Sequence, residues 1–410
     1  MAFLNSGSTF PLSNGRYGVA ISWDKSGYAV DVDLQGLAVD DTGRITSAVY
    51  YNNLKALKGS MTHSGDEQTG EKAGFDELIW TRLDRLPSNI KMIIFVIAAF
   101  EGGHLRDVSN GMIHVLEERK DNEVARFAME RSEEEVDMVA AFVREGNCWV
   151  LSVIDEPARD GQHFMDILEP TVGNFVRQYI PNARRLKVAF AMEKGSVVDL
   201  PRSKDMGQIR ACLGWDVTGD GVDLDVSAVF FNTSGQANDA CFFGNTEQFG
   251  FKHSGDNLDG AGEGDDEEIL CNLQSVPSHI QQVFLVVNIY SGGITFDRVR
   301  NAYCRIVDAE GSEMAKYMLT DGQRQNGLII ARFFREDGLR WGFQALGSFA
   351  SGQTWKDSVS EMVQIFQVSS RGMQGAAAPV APRSAAMPPP TAAMPPPAAP
   401  PSCCAGCSLM

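Results

Sequence analysis

The chain has 410 residues, of which 44% are hydrophobic and 9% aromatic, and its 53 acidic and 36 basic side chains give a formal net charge of −17. This length predicts two globular domains of ordinary size, each able to bury its own core. The negative charge argues against unassisted binding to nucleic acid or to an anionic bilayer. No apolar run approaches the roughly 18–20 residues of a membrane helix, and the N-terminal residues do not resemble a secretory signal. We therefore expect a cytoplasmic chain with reduced cysteines.

The predicted elements are mostly short strands separated by turns rich in Gly, Asn and Asp. Long β-branched apolar runs predict fully buried strands, and alternating runs predict half-buried ones. The charged run 133–137 is expected to be solvated, and the best helix prediction covers 355–366. This pattern predicts a mostly β protein, with a β-sandwich in each domain and few helices. The predicted strands are 92–100, 222–231, 282–290, 301–307 and 327–334.

A long internal repeat sets the domain organisation. Residues 63–79 and 253–269 agree at nine of seventeen positions, beginning with His-Ser-Gly-Asp in both. A period of about 190 residues corresponds to a whole domain rather than to a solenoid unit. We therefore predict a first domain over residues 1–183, a second over 184–371, and a tail over 372–410.

The tail differs in composition from the rest of the chain. Residues 372–410 hold ten of the chain's 17 prolines and many alanines, with Arg383 as their only charge, so the body carries −18. Such a segment has too few large apolar side chains to bury a core. It is predicted to be a disordered, polyproline-leaning spacer.

The second copy contains an acidic, glycine-rich loop. Residues 255–268 carry seven carboxylates and no Lys or Arg, and Asp223 and Asp225 are spaced to share one face of a strand. Like charges this close repel one another unless a cation neutralises them. Calcium takes six to eight oxygen ligands in flexible geometry, so the loop predicts a calcium site.

The loop of the first copy departs from this pattern. It carries five acids and a lysine, with Glu67 in place of Asn257 and Phe75 in place of Asp265. Three of its acids and two acids upstream of the loop keep their counterparts, so a weaker site is predicted there. These weaker candidates are Asp31, Asp33, Asp66, Asp76 and Glu77.

Two alternative chemistries are disfavoured by the sequence. An EF-hand starting at Asp216 would place Ser227 at the twelfth position, where the motif needs a bidentate Glu; Asp216 and Asp220 then form a turn or contribute to the same acidic site. Catalysis by the adjacent His-Ser pairs is unfavourable, because neighbours on extended chain point to opposite faces. The motifs G-x-S-x-G, G-x-x-x-x-G-K-[ST] and H-E-x-x-H are absent.

The second loop reads H-S-G-D-N-L-x-G-x-G-x-G-D-D-E, and L-x-x-V-P and a hydrophobic strand follow it. This sequence resembles the TerD-type tellurium-resistance and stress-protein family. The resemblance covers about 170 residues in each half. It implies a calcium-binding β-sandwich with tellurite-resistance, chemical-stress and, in some members, cyclic-AMP-binding associations, and with no established reaction. The calcium ligands implied by the resemblance are Asp223, Asp225, Asp256, Asn257, Asp265, Asp266 and Glu267.

The last four residues, Cys-Ser-Leu-Met, form a C-a-a-X box of the farnesyl type, with Cys407 as the prenyl acceptor. Cys403 and Cys404 lie just upstream, and stable membrane attachment needs two lipid signals. We expect both to be palmitoylated. The alternatives are a chance match or a zinc site, which three cysteines alone would leave one ligand short.

Together these patterns predict a non-enzymatic calcium-binding adaptor in stress or signalling. Its expected partners are calcium, a protein of unknown identity and the cytoplasmic face of a membrane, reached through the lipidated tail. The alternatives are a module binding a cyclic nucleotide or another small ligand, and a metal-dependent hydrolase.

Overall fold

The structure is a computed structural model, and it describes residues 1–24, 30–70, 72, 74–101, 103–118, 122–158, 161–186, 188–200, 208–217, 224–255, 264–290, 293–319, 323–336 and 340–376. Residues 1–369 form one compact body, and residues 370–410 form a separate unit. No helix in the described part of the chain is long and apolar enough to cross a membrane.

The first copy is a stack of two mainly antiparallel sheets. Their order is β1-β11-β10-β3-β8-β7-β6 in one sheet and β2-β13-β12-β9-β4-β5 in the other. Side chains from both sheets, such as Ile21 and Phe95, share one buried cluster, so the sheets pack face to face. The strands are β1 (Ala2–Phe3), β2 (Thr9–Leu12), β3 (Arg16–Asp24), β4 (Asp31–Asp40), β5 (Ile45–Val49), β6 (Lys55–Ala56), β7 (Met61–His63), β8 (Glu77–Arg82), β9 (Ile90–Glu101), β10 (Ser109–Glu117), β11 (Asn122–Ala128), β12 (Val136–Glu145) and β13 (Cys148–Ala158).

The second copy repeats this topology strand for strand. Its sheet orders are β14-β24-β23-β16-β21-β20-β19 and β15-β26-β25-β22-β17-β18, which match those of the first copy when each number is raised by thirteen. The strands are β14 (Phe190–Met192), β15 (Val197–Asp199), β16 (Ile209–Val217), β17 (Leu224–Asn232), β18 (Ala237–Cys241), β19 (Glu247–Gln248), β20 (Phe251–His253), β21 (Glu267–Cys271), β22 (Ile280–Ile289), β23 (Val299–Val307), β24 (Glu313–Met318), β25 (Gly327–Arg335) and β26 (Trp341–Ala350).

The central strands are buried on both faces, because each six-stranded sheet is covered on its outer side as well. In the first copy the cover is the connecting segment with helix α1 (Gly173–Tyr179), whose Phe175 and Val176 are buried in the same cluster as Leu37. In the second copy the cover is helix α2 (Val359–Ala376), which buries Met362 and Phe366. This double cover explains why these strands read as continuous apolar runs rather than as alternating ones.

The predicted β-rich tandem architecture is confirmed, and the predicted strands agree with β9, β17, β22, β23 and β25 where the structure describes them. The helix predicted from residue 355 begins four residues later, at Val359, and continues to Ala376. Residues 372–376, predicted as part of the disordered spacer, are therefore helical. The rest of the tail, with Cys403, Cys404 and Cys407, lies outside the described residues.

One further prediction was wrong in part. Residues 133–137 were expected to be a solvated run, and the Glu133 side chain is indeed 74% exposed. Asp137, however, is fully buried in β12, opposite Ile97 of β9 and Pro157 of β13. Burial, followed by the nearby charge of Asp155, raises the pKa of Asp137 well above its usual range. The position of β12 between two strands determines this burial, which the acidic sequence alone does not indicate.

Candidate metal centres

Three carboxylates of the first copy converge on one point. Asp31, Asp33 and Asp66 each offer one oxygen, and these oxygens lie within 4.8 Å of one another. Asp31 and Asp33 lie two apart on β4, so strand geometry puts them on the same face. Asp66 comes from the loop between β7 and β8. Among the described residues, no other group of three or more His, Cys, Asp or Glu side chains has this geometry.

The electrostatics of this three-carboxylate group are unfavourable without a cation. Asp33 is 2% exposed, and its pKa is raised well above the usual range by burial and then by the charges of Glu77, Asp31 and Asp66. Burial also raises the pKa of Asp66. A bound cation would replace this repulsion with attraction. Clustered carboxylate oxygens are the donors that Ca²⁺ prefers, so the residues present fit a calcium ion.

A buried His–Glu pair ties the loop to β4. Glu77 accepts the Leu34 N–H at 2.7 Å and the Glu67 N–H at 3.3 Å. His63 Nδ1 accepts the Gly65 N–H at 3.1 Å, so the ring proton is on Nε2, which lies 3.0 Å from the Leu34 carbonyl and 3.4 Å from Glu77. These contacts position the loop.

Asp76 anchors the other end of the loop to β3. Its carboxylate accepts the Trp23 N–H at 2.9 Å, and its own N–H donates to the Ile21 carbonyl at 2.9 Å. Lys72, which appeared in the sequence to weaken the acidic loop, donates to the backbone carbonyl of Asp76 at 3.0 Å. Asp76 and Glu77 thus hold the loop in place, while Asp31, Asp33 and Asp66 form the group that could hold an ion.

The second copy has the same scaffold. Val226 donates its N–H to Glu267 at 2.8 Å, Trp215 donates its N–H to Asp266 at 2.8 Å, and His253 Nδ1 accepts the Gly255 N–H at 3.1 Å. These are the counterparts of the Leu34, Trp23 and Gly65 contacts in the first copy. Two predicted ligands, Asp266 and Glu267, therefore occupy the anchoring positions.

Asp265 has a partner that the sequence did not reveal. Arg305, from β23, donates Nε and Nη2 to its two carboxylate oxygens at 2.8 and 2.7 Å, and Tyr303 donates its hydroxyl at 2.8 Å. The arginine hydrogen bond is the main cause that holds the pKa of Asp265 below its usual range against the effect of burial. Coordination of calcium by Asp265 stays a prediction, and the ion would compete with Arg305 for this carboxylate.

The remaining predicted ligands of the second copy are only partly described. Asp223, Asp256 and Asn257 lie outside the described residues. Asp225 is 8% exposed and lines a cavity of about 150 Å³ together with Asn288 and Trp355. By the repeat, Asp223, Asp225 and Asp256 correspond to the three-carboxylate group of the first copy.

The two departures that made the first loop appear degraded lie outside its three-carboxylate group. Phe75 packs against the His114 ring at a centroid distance of 4.9 Å. Glu67 accepts the Thr69 hydroxyl at 2.6 Å. Weaker binding in the first copy stays a prediction, but neither substitution removes one of the three converging oxygens. The first copy keeps the spacing of Asp31, Asp33 and Asp66. This was the signal in the sequence that could have favoured the first copy as a calcium-binding candidate.

The first centre lies close to the junction between the two copies. Asp199 of β15 is fully buried, and it accepts the Tyr51 hydroxyl at 3.1 Å and the Asn52 side-chain N–H at 3.2 Å. Its charge contributes to the raised pKa of Asp33. The pKa of Asp33 in the first copy is therefore raised in part by a residue of the second copy.

Comparison with known proteins shows sequence similarity to one family in both copies. The TerD domain pattern matches residues 3–166 and 188–365. The chain is 35% identical over 188 residues to the tellurium resistance protein TerZ of Serratia marcescens, covering 42% of this chain and 96% of that protein. It is 33% identical over 201 residues to the stress response protein SCP2 of Bacillus subtilis (strain 168), covering 43% of this chain and 100% of that protein. A solved homologue of telluride resistance protein (TerD) from Streptomyces coelicolor A3(2) is 24% identical, covers 36% of this chain and 92% of its own, and superposes with a TM-score of 0.33.

Proposed function

Because the chain belongs to the TerD family of tellurium-resistance and stress-response proteins, we propose that it is a non-enzymatic calcium-binding member of that family, with one site in each copy. The observation that carries this proposal is the convergence of Asp31, Asp33 and Asp66 within 4.8 Å. In the first copy these three residues would hold the ion. In the second copy Asp223, Asp225 and Asp256 would do so, with Asn257 as a further oxygen donor.

Two sets of contacts support a binding role rather than a catalytic one. The Ser64 hydroxyl oxygen accepts the Leu78 N–H at 3.0 Å, and its neighbour His63 is buried against Glu77 and the Leu34 carbonyl. A serine nucleophile needs a base within hydrogen-bond reach, whereas this histidine is already engaged by the backbone on both nitrogens. The acids themselves suit a hard cation, which needs several oxygens and no proton transfer.

The test is a calorimetric calcium titration of the full chain. Wild type should take up two ions, while Asp31→Asn and Asp225→Asn should each remove one and leave the other site intact. Asp41→Asn, an exposed acid in the turn after β4, is the matched control and should bind like wild type. Unchanged stoichiometry in both site variants would refute the assignment.

We also propose that the chain acts as an adaptor held to the cytoplasmic face of a membrane by lipid on Cys407, with Cys403 and Cys404 as the second signal. The body carries −18 and should be repelled by anionic lipid, so attachment must come from the tail. A protein partner would then be recruited by the calcium-loaded body. This part of the proposal rests on the C-terminal sequence.

A further inference from the structure

We propose that a cleft between the two copies binds a small organic anion with an apolar body. The cleft has a volume of about 650 Å³, within the range of about 300–1,000 Å³ typical of small-molecule sites. It does not include the carboxylates of the proposed calcium sites, and the inference does not depend on them.

The two walls of the cleft come from different copies and are fixed at both ends. One wall is β5 with the β6–β7 hairpin and the segment from Arg85 to Ile90, and the other is β14 with β15. At one end the Ala189 N–H donates to the Ile45 carbonyl at 2.9 Å. At the other, the Tyr50 hydroxyl donates to the Val197 carbonyl at 3.1 Å. These two hydrogen bonds fix the position of one wall relative to the other. A ligand would therefore find the cleft largely pre-formed.

The lining is mainly apolar, with a basic rim. Lys55, Lys58 and Arg85 are exposed and border the cleft from the first copy, and Glu193 is the one acid among its lining residues. The local charge is therefore +2 in a chain whose net charge is −17. None of the three basic side chains forms an ion pair with an acid in the described part of the chain. The apolar side chains of the lining include Ala48, Leu57, Ile90, Phe190, Met192 and Val198.

The basic rim is a specific feature of the first copy rather than a property of the repeat. The β6–β7 hairpin pairs Lys55 with Thr62 and Ala56 with Met61, and the equivalent β19–β20 hairpin pairs Glu247 with Lys252 and Gln248 with Phe251. Glu247 therefore stands in the position of Lys55, reversing its charge. The first hairpin also has a longer loop, 57–60 against 249–250, and this extension supplies Lys58.

The longer loop adopts a costly conformation at one more non-glycine position than its counterpart, in which Phe249 is likewise left-handed with a φ of 45°. Leu57 and Lys58 both have left-handed backbones, with φ of 50° and 53°, which L residues with side chains adopt at a cost in free energy. The third basic residue, Arg85, has Ser275 as its counterpart. Three independent changes from the second copy thus bring positive charge to one rim of an apolar cleft. This combination fits a ligand with a carboxylate, sulfonate or phosphate on an apolar body.

The test uses anilinonaphthalene sulfonate, a fluorescent anion with an apolar ring system, titrated onto the full chain in the presence of chelator. Wild type should bind one molecule. Lys55→Ala, Lys58→Ala and Arg85→Ala should each weaken binding by about two- to fivefold, as expected for partly solvated charges. Ala191→Trp, at the exposed middle residue of β14 on the cleft wall, should reduce binding by steric filling.

The matched control is Lys252→Ala, which removes the same charge from the equivalent hairpin of the second copy. It should bind the probe like wild type, and circular dichroism should show that every variant keeps its strand content. The proposal is overturned if wild type does not bind the probe, if Lys252→Ala weakens binding as much as the rim variants, or if Ala191→Trp and all three rim variants bind like wild type.

Discussion

Replacement of Asp33 by Asn should have opposite effects on stability with and without calcium. The side chain is buried, and burial together with the charges of Glu77, Asp31 and Asp66 raises its pKa. Without calcium, the ionised carboxylate repels its neighbours, so Asp33→Asn should stabilise the protein. With calcium, the same substitution removes a ligand, so the variant should lose most of the stabilisation that the ion provides.

The magnitude follows from the spacing of the oxygens. Two charges at the upper limit of 4.8 Å repel by about 1 kcal/mol with water-like screening and by about 3.5 kcal/mol at an effective dielectric constant of about 20. Asp66 is exposed and Asp31 is nearly buried, so a total relief of about 2 kcal/mol is expected in chelator. Calcium at a thousandfold excess over Kd should stabilise the wild type by about 4 kcal/mol. The order of stability should therefore reverse between chelator and calcium.

The pH dependence gives an independent check. An acid whose folded pKa is raised holds its proton more tightly in the folded state, so its contribution to stability falls as pH rises from the unfolded pKa through the folded one. The advantage of Asp33→Asn in chelator should therefore be small at pH 5 and larger at pH 8. Urea denaturation at both pH values, with and without calcium, measures four free energies of unfolding for each protein, and Asp41→Asn is the control. A variant less stable than wild type in chelator at pH 8 would refute the reasoning.

Three further predictions concern the anchors and the tail. Glu77→Gln should destabilise the protein by about 1–3 kcal/mol in chelator and in calcium alike, because it weakens the buried acceptor of two backbone N–H groups; urea denaturation would show this, and stabilisation in chelator would contradict it. Asp265→Asn should lower stability in chelator by about 1–2 kcal/mol through loss of the charged Arg305 pair, and an unchanged unfolding midpoint would count against that role. Cys407→Ser should move the protein from the membrane to the soluble fraction in a eukaryotic cell, and a wild type that already fractionates as soluble would overturn the anchor.

The architecture could be predicted from the sequence alone, because apolar runs are local features and the internal repeat is a periodic one. Apolar runs such as 92–100 predicted buried strands, and the duplicated His-Ser-Gly-Asp loop predicted two copies of one domain. The spacing of Asp223 and Asp225 also predicted two carboxylates on one strand face, and Asp31 and Asp33 of β4 keep that spacing. These inferences need only the alternation of a strand and the recurrence of a motif.

Only the tertiary structure decided how individual acids are used. Asp265 is one of seven similar carboxylates in its loop, yet it pairs with Arg305, 40 residues away. Asp265 lies just before β21, and Arg305 lies on β23; both strands pair with β16, one on each side. Asp137 belongs to an acidic run, yet β9 and β13 bury it. The cleft between the copies lies where β5 and β14 come together, next to the bridge between Ile45 and Val188. Each outcome depends on which strands become neighbours, and that pairing is set by contacts between residues far apart in the chain, which local composition does not encode.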